Sequence, residues 1–467
     1  MSISCRMDGG LAGVQWMLLD PEPHDALRQM LTALLSATVT LGPCRLHRAK
    51  YKPNRHLKAY YDVTIHDPAS GRDNSRQIEV TWMQPGSEDR RRAMSDFERM
   101  QGEAIRAGLA VPFKQLMAEA PEWGMRVQIA PLDVRFPQLV RLSDPRYVRE
   151  ILAASFTADG GTQAEAPASR YAVTAIRYRP GQRHVLRYDR ADGAERDSRG
   201  TVFAKIYNSE QGARTFRLVR RVSDWLASHG TGMTAGRPLA YFPDDAAALY
   251  SCVSGTPLSQ ALRAPSPNTH AHLQRAGAAL AVLHGIPTTL VELQPHSFPK
   301  EIEGIVSASK HVAALLPATG SRILAILDRA RALHEWLPQE EMGFAHGDFK
   351  ADHLWITPAG LTLMDFDTCY LFDRAIDVGK FLADLHWWYD CYGQPGVEQA
   401  QHQFLAGYMP GAPCERLLRA RLYEVLVLVK TTVRRMRLFD TDWGPRTERL
   451  IDCAQALLNG LQRSINP

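Results

Sequence analysis

Between residues 344 and 367 the chain reads Phe344-Ala-His346-Gly-Asp348-Phe-Lys350-Ala-Asp-His353-Leu-Trp-Ile-Thr-Pro-Ala-Gly-Leu-Thr-Leu-Met-Asp365-Phe-Asp367. Asp348 and Asp365 flank two strand-like runs, 354–357 and 361–365, which predict a hairpin that brings its ends together. Carboxylates paired in this way suit a division of labour: one orients a hydroxyl or accepts its proton, the other holds a divalent cation against phosphate oxygens. Lys205, the single charge in Val202-Phe-Ala-Lys-Ile-Tyr207, suits a point charge aimed at phosphates. Taken singly, each has an ordinary reading, since a strand lysine is usually a solvated edge residue and a loop aspartate usually caps a turn. The order of lysine strand, apolar connector, helical region, Asp loop and second Asp supplies the parts of phosphoryl transfer.

The elements that must hold these residues can be read from periodicity. Beyond Gly255 the pattern is helical: Leu273, Gly277, Leu280 and His284 share one face of a helix closed by Gly285 and Pro287. Further helices are expected over 322–336, 422–437 and 447–461, and segment 344–366 interrupts them with loops and short strands. Upstream, a helix over 24–36 precedes strands 46–52, 58–65 and 77–83, which predict a small antiparallel sheet. A polar helix over 87–107, a strand over 125–130 and a helix after Asp144 follow.

That upstream pattern recurs. Lys50-Tyr-Lys-Pro-Asn-Arg55-His-Leu-Lys-Ala-Tyr-Tyr-Asp62 is similar to Arg177-Tyr-Arg-Pro-Gly-Gln-Arg183-His-Val-Leu-Arg-Tyr-Asp189, and in each case a third strand and a helix follow. The spacing predicts a duplicated small domain, although basic hairpins also look alike by chance. The first copy has Val80-Thr-Trp-Met83 where the second has the lysine strand. The Ala-, Gly- and Thr-rich stretch 154–169 reads as a linker, giving a first domain over 1–153, a second small lobe over 170–255 and a helical lobe over 256–467.

Composition bounds the partners. At 467 residues the chain is long enough for about three compact units. Its 45% hydrophobic and 22% charged residues are those of a folded protein. A net charge of +5 is too small for this length to make nucleic acid the default partner. The seven cysteines are scattered without zinc spacing, which predicts reduced thiols in a cytosol and hence a cytoplasmic location. The longest apolar runs fall short of about 18 residues, so no membrane span is expected. The apolar stretch 10–19 is interrupted by Gln15 and followed by Asp20 and Glu22, a poor match to a signal peptide.

From Arg170 to the C-terminus the sequence resembles the aminoglycoside phosphotransferase and choline kinase superfamily, a branch of the protein-kinase-like fold. The motifs that carry the resemblance are His346-Gly-Asp348, Met364-Asp365-Phe-Asp367 and Asp373-Arg-Ala-Ile-Asp377. It implies an α+β, bilobal architecture with a small antiparallel-sheet N-lobe and a mainly helical C-lobe, here preceded by a degenerate copy of the N-lobe. It also implies ATP and Mg2+ as cofactors and a small-molecule hydroxyl as acceptor. Asp348 would be the catalytic aspartate, Asp365 the magnesium ligand and Lys205 the nucleotide lysine. The turn from Pro180 to Arg183, including Gly181, would lie over the phosphates, and 250–255, with Tyr250, Cys252 and Val253, would be the hinge at the adenine. Asp373 and Asp377 match positions that anchor the turn and helix after the metal loop.

Three residues depart from that pattern. His353 stands where a second metal ligand is normally Asn, and a neutral imidazole is a poorer match for hard magnesium than an amide oxygen. Lys350, two residues after Asp348, could neutralise the transferring phosphoryl group or be a surface lysine. The helix after Lys205 lacks the expected Glu, with Asp224 or Glu210 as substitutes. Asp367, Asp384, Trp387 and Trp388 are the candidate acceptor residues, although at least one Trp is expected in the core. These residues leave open a sugar, an amino alcohol or an aminoglycoside. The alternative class is a nucleotide-binding pseudokinase that uses its duplicated lobe to bind a partner. A protein kinase ranks last, because no activation segment follows Asp365.

Overall fold

The computed structural model describes residues 10–83, 90–158, 170–191, 200–230, 232–410 and 412–465. Two compact units divide the chain, the first made of Met1–Arg214, Pro238–Cys252 and Arg437–Thr441, the second of Thr215–Arg237, Val253–Met436 and Asp442–Pro467.

The first unit opens with helices α1 (Gly10–Leu19) and α2 (Pro21–Leu34). Asp20 caps α2, accepting from Glu22 N–H at 3.1 Å, and Pro21 sets its first turn. Strands β1 (Thr40–Lys52), β2 (His56–Asp67) and β3 (Arg72–Met83) follow, then helix α3 (Arg90–Arg106) and strands β4 (Met117–Ala120) and β5 (Met125–Ile129). They form an antiparallel sheet in the order β1-β2-β3-β5-β4. Along β2, Leu57, Ala59, Tyr61, Val63 and Ile65 alternate into the core, the period of two that a half-buried strand requires.

After α4 (Leu139–Leu142) and α5 (Pro145–Ala158) comes a second sheet, built from β6 (Tyr171–Arg179), β7 (Arg183–Arg190), β8 (Thr201–Ile206) and, beyond helix α6 (Gln211–His229) and strand β9 (Met233–Ala235), β10 (Pro238–Phe242) and β11 (Ala247–Ser251). Its order is β6-β7-β8-β11-β10, the order of the first sheet. In both, a helix separates the third and fourth strands. A Pro-led 3-10 turn, Pro121–Trp123 or Pro243–Asp245, joins the last two and ends in a left-handed residue. The two Pro-led hairpins also agree, with Asn54 at φ 58° and Gly181 at φ 72°.

The expected boundary at 153/154 does not separate two cores. Phe136, Leu139, Leu142, Val148, Ile151 and Leu152 pack on Tyr178, Leu186, Tyr188, Ala204, Ile206 and Leu249 of the second sheet. Each such side chain contributes roughly 1.5–3 kcal/mol by burial, so α4 and α5 belong energetically to the sheet that follows them. Of the expected linker 154–169, residues 154–158 continue α5, and the rest lies outside the described residues.

The second unit carries the helices expected beyond Gly255, with longer spans: α7 (Leu258–Arg263), α8 (Thr269–Leu283), α9 (Phe298–Leu315), α10 (Pro317–Trp336), α11 (Ala375–Cys391), α12 (Val397–Tyr408), α13 (Cys414–Arg435) and α14 (Trp443–Ile465). Between α10 and α11 lie the short strands β13 (Gly343–Ala345), β14 (Leu354–Thr357), β15 (Gly360–Leu363) and β16 (Tyr370–Phe372). β14 and β15 form the expected hairpin, β12 (Thr256–Pro257) flanks it, and β9 pairs with β15 in parallel. β13 pairs with β16. One apolar core runs through this unit, and α11 and α13 approach closely in it: a Cβ on Gly379 would meet Ala420 O and Glu424 N at 2.7 Å. No described helix is long and apolar enough to cross a membrane.

Candidate active site

β13 delivers His346, Gly347 and Asp348 to the edge of the second unit's core. Asp377, fully buried in the first turn of α11, accepts from His346 N–H at 2.7 Å and from Gly347 N–H at 2.8 Å. His284 Nε2 lies 3.3 Å from the same carboxylate, and its Nδ1 is 2.8 Å from Tyr408 Oη. Charge-assisted bonds of this kind are the stronger ones, so Asp377 fixes the His346–Gly347 loop, whereas the resemblance placed it as an anchor of the turn and helix after the metal loop. Gly347 turns at φ 76°, and a Cβ there would meet Thr368 O at 2.5 Å.

Asp348 sits between two ammonium groups, with Lys350 Nζ 2.6 Å from Oδ2 and Lys380 Nζ 3.2 Å from Oδ1. Burial works against its charge, but Lys380, His353 and Lys350 hold the carboxyl well below the usual carboxylate range. Lys380 was not singled out from the sequence. Its signal was present, because Asp377, Lys380 and Asp384 recur at i, i+3 and i+7 in an apolar helix and so share one face.

The β14–β15 hairpin, closed by Met364 N–H donating to His353 O at 2.9 Å, brings Asp365 back to this loop. Asp365 has φ 63°, uncommon for a residue with a Cβ, and starts the 3-10 turn Phe366–Thr368. One donor atom from each of Asp348, His353 and Asp365 falls within 4.8 Å of the others. His353 Nδ1 lies 3.0 Å from Asp348 O, a pure acceptor, so Nδ1 carries the hydrogen and Nε2 turns its lone pair to Asp365 Oδ2, 3.4 Å away. Burial and Lys350 push His353 down to about 3, so the ring is neutral near pH 7. A lone pair facing a carboxylate is complementary to a cation, and the donor set of two carboxylates and one imidazole fits a divalent ion.

Three acceptor candidates are engaged elsewhere. Asp384 is buried, and its Oδ2 accepts from Ala351 N–H at 3.0 Å and from Trp388 Nε1 at 3.1 Å, while Arg435 reaches Oδ1 at 3.0 Å. It anchors the loop that follows Asp348. Trp388 is a core residue with the Arg263 guanidinium 5.3 Å from its ring centroid, and Trp387 is covered by Arg435 at 5.5 Å. Arg435 therefore points inward. Asp367 is half-buried on the turn after Asp365.

In the first unit, Lys205 is half-buried on β8, opposite Val185 and Ala248, with Nζ 5.8 Å from the Tyr207 ring centroid. By strand register, Arg183, Lys205 and Tyr250 share one face of the second sheet. Two backbone donors expected to meet nucleotide are used within the protein: Gly181 N–H donates to Asp133 Oδ2 at 2.6 Å and Cys252 N–H to Thr201 O at 3.1 Å. Asp133 is buried and also meets His184 Nε2 at 2.7 Å, so the glycine turn is braced from the segment before α4. In the second unit, Val253 is half-buried, and Asp224, offered as a partner for Lys205, pairs with Arg237 at 2.9 Å.

An ionised Asp flanked by lysines, facing a second Asp and an imidazole across a hairpin on a protein-kinase-like α+β fold, defines a small-molecule phosphotransferase. The chain belongs to the phosphotransferase enzyme family, APH, whose profile matches residues 175–418. Solved structures similar over part of the chain include choline kinase from Cryptosporidium parvum Iowa II, at 14% identity over 68% of this chain and 98% of that one, TM-score 0.46. A choline/ethanolamine kinase family protein from Mesorhizobium loti gives 14%, 68%, 98% and 0.44 in the same order. The choline kinase of Streptococcus pneumoniae gives 12%, 66%, 99% and 0.41. No curated protein matches the sequence.

Proposed function

We propose that the protein moves the γ-phosphoryl group of ATP to a hydroxyl of a small molecule, with a divalent cation held by Asp365, His353 and Asp348. The observation that carries this reading is the ionised Asp348 between Lys350 and Lys380, beside the three-donor cluster. Asp348 is too acidic to be a strong base, so it accepts a hydrogen bond from the acceptor hydroxyl and aims its oxygen at phosphorus. Lys350 and Lys380 place positive charge where negative charge grows on the transferring group. Lys205 holds nucleotide phosphates as a point charge. When bound, the cation neutralises phosphate oxygens and orients them.

The first sheet is, on this reading, a degenerate copy of the second, supported by their common strand order and Pro-led turns. With Asp384, Trp387 and Trp388 engaged in the fold, the case for a cationic acceptor weakens and sugars, amino alcohols and aminoglycosides stand level. The test is ATP consumption with Mg2+ or Mn2+ across those three acceptor classes, with Asp348→Ala in parallel. One acceptor raising turnover in the native protein and not in the variant supports the reading. ATP binding with no acceptor phosphorylated sinks it in favour of a pseudokinase.

A further inference from the structure

Three C-terminal helices bring together three side chains that phosphoryl transfer leaves unused. Cys453 on α14 places Sγ 3.6 Å from His386 Nδ1 on α11, and His386 Nε2 lies 2.9 Å from Glu424 Oε1 on α13. Glu424 is wholly buried, accepting from Gln401 Nε2 of α12 at 2.5 Å and from Arg421 Nη1 at 2.7 Å. An ionised carboxylate only accepts, so Nε2 carries a hydrogen towards Glu424 and Nδ1 faces the sulfur, placed to take the thiol proton and form an imidazolium–thiolate pair. Burial disfavours the imidazolium, yet the hydrogen bonds to Cys453 and Glu424 outweigh it and push His386 up to about 10. His386 and Arg421 keep the Glu424 carboxyl below its ordinary range in spite of burial.

Nucleophile, base and orienting carboxylate are thus in series, the arrangement that activates a thiol. We propose that Cys453 is a nucleophilic thiol and a site of covalent modification by soft carbon electrophiles of the activated-alkene class. Sγ adds to one alkene carbon, forming the C–S bond as the π pair moves to the neighbouring carbon. The thiol proton passes to His386 Nδ1 and on to that carbon, so S–H adds across the double bond with nothing oxidised and no group leaving. Two ion pairs join the same region of these helices, Arg449–Asp390 between α14 and α11 and Arg322–Asp452 between α10 and α14, and solvent screens them. Cys391, at the end of α11, is a contrast, since burial pushes its thiol up to about 11.

The experiment treats the full chain with substoichiometric N-ethylmaleimide and follows each cysteine by peptide mass spectrometry from about pH 6 to about pH 8. Exposed Cys414 is the internal reference. Cys453 is expected to react about tenfold faster than Cys414 near neutral pH, with a much flatter pH dependence than the roughly tenfold rise per unit of an ordinary thiol. His386→Gln should bring it down to the Cys414 rate. Glu424→Gln, close in shape, decides the matter if the first variant melts early. Labelling no faster than Cys414, or a rate that a folded Glu424→Gln leaves unchanged, overturns the proposal.

Discussion

Two lysines on one carboxylate set what Asp348 can do. Removing Lys380 takes away the charge at Oδ1 and leaves Lys350 at Oδ2. Because Lys380 holds the Asp348 pKa down, activity that depends on the carboxylate is present above that pKa and lost as pH falls through it. Lys380→Met should therefore move the acid limb of the rate profile to higher pH and lower kcat by roughly 10²-fold, the scale of one lost transition-state charge. An unchanged acid limb would assign Lys380 to packing alone. His353 carries the second prediction at this scale. An imidazole nitrogen favours Mn2+ over Mg2+ more than an amide oxygen does. His353→Asn should narrow the ratio of Mn2+ to Mg2+ affinity, measured by electron paramagnetic resonance of Mn2+ under Mg2+ competition. A ratio that stays put would remove His353 from the cation's ligands.

At the scale of elements, α11 and α13 act together because each carries half of an electrostatic frame. α11 presents Asp377, Lys380 and Asp384, and α13 presents Arg435 to Asp384 at 3.0 Å and to Asp352 at 3.7 Å. Gly379 lets the helices meet, and a Cβ there would lie 2.6 Å from Tyr423 Cβ and 2.7 Å from backbone of α13. Gly379→Ala should accordingly destabilise the fold by about 1–3 kcal/mol through overpacking, despite the better helix propensity of Ala. It should also lower kcat more than a distant variant of equal stability, since it pushes Lys380 from Asp348. Denaturant melts and kcat measured together check this, and a kcat that tracks stability alone would contradict it. The hairpin and both Asp loops were legible in the sequence because their spacing is local, with β14 and β15 four residues each around one turn. Lys380 and the inward Arg435 were not, because a helix face acquires a direction only when its neighbour is placed. Asp384 could not be told from a substrate-facing acid for the same reason, since an acid beside such a loop looks alike in sequence whether it faces substrate or holds the loop, whereas a core place was expected for at least one of Trp387 and Trp388, and Trp388 takes it.

Across the whole molecule, the expected linker marked composition and not the limit of a core. A stretch rich in Ala, Gly and Thr does separate two similar strand patterns, but α4 and α5 on its N-terminal side cover the sheet on its C-terminal side. Which sheet a helix covers is a long-range fact with no local signature, whereas the repeated hairpin, being local, could be read directly. The polar contacts point the same way. Tyr188 Oη donates to Leu142 O at 3.0 Å, Tyr147 Oη to Asp245 Oδ2 at 2.6 Å, and Gln138 Nε2 to Tyr207 O at 2.9 Å. A protein beginning at residue 170 would lose these bonds and bare one face of β6, β7, β8 and β11, an apolar patch of a size that soluble monomers rarely expose. It should be recovered as aggregate, or without a cooperative thermal transition. A protein beginning at residue 130 keeps α4, α5 and the Asp133 brace on Gly181, and should melt cooperatively. Circular dichroism melts of the two truncations decide between a self-sufficient lobe over 170–255 and a lobe completed by the residues before it; equal cooperativity in both would refute the shared core.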